Sequence, residues 1–177
     1  MRKHMLIETP LGGVLVEAES NGGISLHRGN LPHSIANGMT IDRSIACVLQ
    51  VLPKSDTTDV QLSARLINSQ VVGYPAPGEC LECIEFETDS WHLTLGTEDL
   101  VMLYARLPDL DLASNQLETA YDASGLAINQ TTVAMKVACT FHIIVSYKKL
   151  PDDRDCTAWY FADTPHEIAL KAVNLFT

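Results

Sequence analysis

The sequence predicts an α+β fold built mainly from antiparallel strands, as one domain spanning residues 1–177. Three observations carry this expectation. Apolar and polar residues alternate from Val133 to Lys148, four segment pairs read as hairpins, and Thr164-Pro165-His166-Glu167 opens a C-terminal helix. At 46% hydrophobic residues, the chain can bury a core without disulfide or metal staples.

The first hairpin runs from Val14–Ala18 to Ile24–His27 through Ser20-Asn21-Gly22-Gly23. Asn-Gly favours the tight primed turn because both residues accept positive φ. A second pairs Ser44–Leu52 with Val60–Leu66 across Pro53-Lys54-Ser55-Asp56. In it, Ile45, Cys47, Leu49 and Val51 share one strand face, as do Val60, Leu62, Ala64 and Leu66. Tyr74-Pro75-Ala76-Pro77-Gly78 is a stiff internal loop. Cys83–Glu87 and Trp91–Leu95 form a third hairpin around Thr88-Asp89-Ser90. A helix then starts at Thr97, where Glu98 and Asp99 favour its positive end, with Leu100, Leu103, Tyr104 and Leu107 as its apolar stripe and Pro108 as its stop. A short helix is expected from Ser114 to Tyr121.

Val133–Lys148 is expected as one long, bent strand. Val133, Met135, Val137, Cys139, Phe141, Ile143, Val145 and Tyr147 would face the core, with Lys136, Thr140, His142, Ser146 and Lys148 on an at least partly solvated face. The turn Leu150–Asp155 returns the chain into Cys156–Ala162 as the antiparallel partner of a fourth hairpin. In the terminal helix, Thr164 caps, Pro165 takes the first helical position, and Ile168, Ala169, Ala172, Val173 and Phe176 form the apolar side.

Charge narrows the function classes. Glu79 to Asp122 holds eleven acidic residues and one basic residue, Arg106, which accounts for the whole net charge of -10. A nucleic-acid partner is excluded by the lack of clustered Lys and Arg. A basic protein partner fits, because a patch of one sign steers the opposite sign. No run of about 20 apolar residues spans a bilayer, and Glu8 and Pro10 interrupt any leader, so the expected setting is cytoplasmic, away from membranes.

Local motifs assign no catalytic residue, cofactor or metal. Cys80-Leu81-Glu82-Cys83 has the spacing of a zinc knuckle or redox pair, but it has no second pair, and Glu79, Glu82 and Glu85 disfavour the thiolate. The six histidines form no HxH, HxxxH or HExxH motif. His142 reads as exposed or hydrogen-bonded, and His166 as a solvated helix residue. Asp109-Leu110-Asp111 and Asp152-Asp153 lack the other ligands of a calcium loop.

The resulting expectation is a non-catalytic protein-binding domain, of inhibitor or immunity type, that engages a basic partner. Glu82, Glu85, Glu87, Glu98, Asp99, Asp109 and Asp111 would supply charge, and Trp91, Tyr104 and Leu110 the buried anchors. One alternative is a small-ligand-binding or enzymatic β-rich domain with a cavity between sheet and helix, near Trp159, Tyr160 and His142. The other is an assembly subunit that self-associates through edge strands.

Overall fold

The computed structural model describes residues 1–32, 39, 41–54, 58–107, 116–133, 137–151 and 157–175. Pro108, Asp109, Leu110, Asp111, Asp152, Asp153, Cys156 and Phe176 lie outside them. The fold is α+β, with two all-antiparallel sheets and short helices. One sheet has the order β1 (Arg2–Thr9), β2 (Gly12–Ser20), β5 (Thr58–Ile67), β10 (Gly125–Val133), β9 (Gln116–Asp122). The other runs β3 (Gly23–Asn30), β4 (Arg43–Leu52), β11 (Cys139–Lys149), β8 (Trp91–Glu98), β7 (Leu81–Glu87), β6 (Tyr74–Pro75). The helices are α1 (Leu100–Arg106), α2 (Thr157–Ala162) and α3 (His166–Ala172).

The core lies between the sheets. Val14, Val16, Leu62, Ala64 and Ile128 from the first sheet meet Ile45, Cys47, Leu49, Phe86, Leu95, Phe141 and Ile143 from the second. These are the apolar faces that alternation picks out, but several partners differ from expectation. β2 pairs with β1 and β5, while β3 pairs with β4, so the chain changes sheets at Asn21-Gly22 and closes no hairpin there. Neither residue takes positive φ, so the primed turn is not made. β4 and β5 likewise belong to different sheets. Each fully buried aliphatic side chain stabilises the fold by about 1.5–3 kcal/mol, so satisfying two facing sheets outweighs one turn preference. The β7–β8 hairpin is as expected, with Glu87 opposite His92. Tyr74-Pro75 adds an edge strand to β7, inside the second sheet.

The region after residue 132 needs the most correction. Val133 ends β10 in the first sheet and Cys139 begins β11 in the second, so 133–148 is not one strand. β11 sits between β4 and β8, and α2 and α3 cover its outer side. His142, Ile144, Ser146 and Lys148 are therefore buried, where a partly solvated face was expected. Within the expected Cys156–Ala162 strand, the described residues 157–162 do not pair with β11. They are helical, because Ala158, Phe161 and Ala162 bury one helix face at spacings of three and four. Gly96 allows this close approach, since a Cβ there would lie 2.8 Å from the Cβ of Ala162. The short helix expected from Ser114 to Tyr121 is not formed: its described residues, 116–121, belong to strand β9 paired with β10. Among the described residues, no helix is long and apolar enough to cross a membrane.

Candidate functional site

Both helix starts differ in detail from the sequence reading, and both differences shape the site. Thr97 and Glu98 still belong to β8, and Asp99 caps α1 by accepting from the Met102 amide at 2.8 Å. α3 begins at His166 after Pro165, with no side-chain cap bond, while the Thr164 hydroxyl donates to the carbonyl of Phe161. Gly96 pairs with Ile144 across β8 and β11. Two residues onward on β8, and two back on β11, Glu98 and His142 emerge side by side on the outer face. α3 docks on that face through Ala169 and Leu170, against Ala46, Val48 and Ile144, and carries His166 onto the same spot. His166 was expected to be solvated. It is buried instead, because it begins the helix on the face that meets the sheet.

Glu98, Arg106, His142 and His166 interlock. His142 Nδ1 and His166 Nδ1 are 2.8 Å apart, which requires one to donate and the other to accept. His166 Nε2 is 2.8 Å from the hydroxyl of Thr140. Glu98 Oε2 lies 3.7 Å from His142 Nδ1 and 3.8 Å from His166 Nδ1. Arg106, in the last turn of α1, folds back on Glu98: its Nε donates to Oε1 at 3.1 Å and its Nη2 to Oε2 at 2.7 Å. This forked contact compensates a carboxylate that is otherwise taken out of water. The hydroxyl of Thr97 donates to the carbonyl of His142 at 2.7 Å and holds β11 in place.

Burial pushes the pKa of His142 down to about 3, and the charge of Arg106 adds to the effect. Burial also lowers His166 to about 3, reinforced by Arg106 and His142 and opposed by Glu98. Both imidazoles are therefore neutral at neutral pH. Each can offer a lone pair or an N–H, but their weak basicity suits them to hydrogen bonding or ligation better than to proton abstraction.

A cavity of about 340 Å³ opens over this cluster. Leu81, Met102, Ala105, Ala162 and Pro165 form its apolar walls, Glu98, Arg106, His142 and His166 converge in it, and Thr97, Asp163, Thr164 and Glu167 complete a mixed lining. Its size is at the small end of ligand sites, which run from about 300 to 1,000 Å³. A second cavity of about 260 Å³ lies over the first sheet. There Glu17 bridges Arg2 and Arg65, and both arginines are well exposed, so the polar groups already satisfy one another.

The residues expected to form an acidic docking surface are dispersed. Glu82 points toward the first sheet and accepts from the hydroxyl of Tyr121. Glu85 and Glu87 share the outer face of β7. Glu85 Oε1 is 3.3 Å from His92 Nε2, and exposed Glu87 accepts from the Tyr74 hydroxyl at 3.4 Å. Trp91 packs edge-on against Tyr147, and Tyr104 packs against the core. Asp99 is occupied as a helix cap, and Glu98 lies in the cavity.

Of the residues singled out for a sheet–helix cavity, His142 is in it. Trp159 Nε1 donates to the carbonyl of Ala76 at 2.9 Å, and Tyr160 is half exposed. Of the paired thiols, exposed Cys80 also lines the cavity, while burial and the charge of Glu85 push Cys83 up to about 12. Sequence reasoning left His166 and Arg106 out of any site. Residues 98, 106, 142 and 166 come from four elements, so no local spacing joins them. No protein-family model, curated protein or solved structure matches this chain.

Proposed function

We propose that this chain binds a small organic ligand in the cavity between α1, α2, α3 and the second sheet. His142 and His166 are its polar contacts, and Leu81, Met102 and Ala105 contact its apolar body. The observation that carries this reading is the convergence of two neutral, buried imidazoles and an Arg-clamped carboxylate on a cavity that also has apolar walls. A core with no such role would be expected to fill this space with aliphatic side chains, as it does between the sheets.

The test is a fragment screen on metal-free protein with the Met102 methyl group as the NMR reporter. Fragments pairing an apolar ring with a hydrogen-bonding end should shift that resonance. Ala105→Trp, which fills the cavity from an exposed helix position, should weaken the best fragment at least tenfold. If no fragment moves the Met102 signal, or if Ala105→Trp leaves binding unchanged, the reading fails.

A protein-binding role is the second reading. Exposed Glu87 accepts from the hydroxyl of exposed Tyr74 on the edge strand β6, and Asp89 is exposed in the β7–β8 turn, which gives charge and apolar area at the second sheet's edge. Reversing Glu87 and Asp89 together should slow association with a basic partner and flatten its salt dependence if this surface steers encounter.

A further inference from the structure

We infer that Glu98, His142 and His166 form a three-ligand site for a divalent transition metal of the zinc class. The inference rests on the ligand-cavity reading, because the cavity provides the open coordination position above the three donors. The donor atoms are Glu98 Oε2, His142 Nδ1 and His166 Nδ1, and all three residues are buried. Their separations of 2.8, 3.7 and 3.8 Å place them on a circle of radius about 2.0 Å, which falls within the roughly 2.0–2.2 Å expected for zinc to imidazole nitrogen or carboxylate oxygen. An ion near the centre of that circle therefore reaches all three donors at bonding distance. Two imidazoles and one carboxylate with a fourth position left open is a donor set suited to zinc, cobalt or ferrous iron.

The surroundings match what such ligands need. His166 has its remote nitrogen on Thr140, which fixes the ring and leaves Nδ1 pointing at the cluster. Arg106 grips both Glu98 oxygens, with Nε on Oε1 at 3.1 Å and Nη2 on Oε2 at 2.7 Å, so it fixes the carboxylate beside the histidines while competing with an ion for Oε2. On metal binding the His–His hydrogen bond is replaced: the donor ring gives up its Nδ1 proton and takes one up at Nε2 by exchange with solvent, so both imidazoles stay neutral and both Nδ1 lone pairs bind the ion. Arg106 also cancels the carboxylate's charge, so affinity should fall below that of an unclamped set, with a dissociation constant on the order of micromolar.

The test is a titration of the EDTA-treated full chain with cobalt chloride, followed by zinc competition. The expected result is one cobalt per chain, with visible absorption bands that zinc abolishes. His142→Ala and His166→Ala should each weaken cobalt binding at least 100-fold, while the double variant Cys80→Ser, Cys83→Ser should bind normally. No cobalt binding, binding that survives both histidine changes, or binding lost with the cysteines would overturn the inference. Should the histidine variants fail to fold, NMR of cobalt-loaded wild type decides: paramagnetically shifted ring protons from two histidines support the site, and their absence refutes it. Fragment binding at Met102 without any cobalt binding defeats the metal site alone. Cobalt binding with no fragment bound defeats the organic-ligand reading instead.

Discussion

Acidification should destabilise this protein through His142 and His166, and the effect can be worked from the structure. The groups facing the pair are Glu98 on β8, Arg106 on α1 and the hydroxyl of Thr140 on β11. Burial and Arg106 hold both folded-state pKa values near 3, against an ordinary 6.5 in the unfolded chain. As pH falls below about 6.5, the unfolded state takes up protons that the folded state refuses. The pair's contribution is thus fully present above that pH and is lost progressively as pH falls toward about 3. Between about pH 7.5 and about pH 5, the loss is on the order of 2 kcal/mol per histidine and about 4 kcal/mol for the pair. That is a large share of the roughly 5–15 kcal/mol typical of a domain. Urea unfolding followed by tryptophan fluorescence, with EDTA present, gives stability at each pH. His166→Gln cannot titrate but can still bond to Thr140, so it should show a loss smaller by about 2 kcal/mol over the same range. Equal losses in wild type and variant would refute the argument.

Removing one member of the clamp should cost more than removing both. Arg106→Ala strands the buried Glu98 charge and should destabilise by about 2 kcal/mol, below the roughly 3–5 kcal/mol of a fully buried pair because the arginine side chain is 19% exposed. Adding Glu98→Gln should recover part of that loss in a urea-denaturation cycle. Gly29→Ala places a Cβ 1.9 Å from the Ala172 carbonyl oxygen, so α3 must shift off β3. A loss of about 1–3 kcal/mol in thermal unfolding is expected, together with broadened His166 NMR signals. Iodoacetamide at mildly alkaline pH should label exposed Cys80 well before Cys47, Cys83 and Cys139, and peptide mapping reads the order. Burial holds Cys47 and Cys139 up at about 12.

Most of the inward-facing residues were legible from the sequence, because alternation reports burial directly. Ile45, Cys47, Leu49, Val51, Val60, Leu62, Ala64 and Leu66 all face the core as alternation predicts. Partner choice was not legible: Asn21-Gly22 has the composition of a hairpin turn, yet the chain uses it to cross between sheets. Trp159-Tyr160-Phe161 suggested a strand by residue type, although the burial of Ala158, Phe161 and Ala162 has helical spacing. The candidate site was nearly invisible. His142 could be placed on the outer face of a strand, but whether that face met water or a helix depended on where α2 and α3 dock. Glu98 resembled its acidic neighbours in sequence, and only the return of Arg106 along one helix separates it from them.

The central place of β11 has a consequence for the order in which the protein can be completed during synthesis. Its two neighbours, β4 and β8, are translated long before it and are bridged only when residues 139–149 emerge. Until then both present unpaired backbone edges, flanked by apolar side chains meant for a sandwich interior. A ribosome paused ahead of this segment holds a chain that cannot close its second sheet, and such edges are templates for association between chains. The last third of the polypeptide thus protects the first two thirds, and chaperone dependence should peak just before β11 is released.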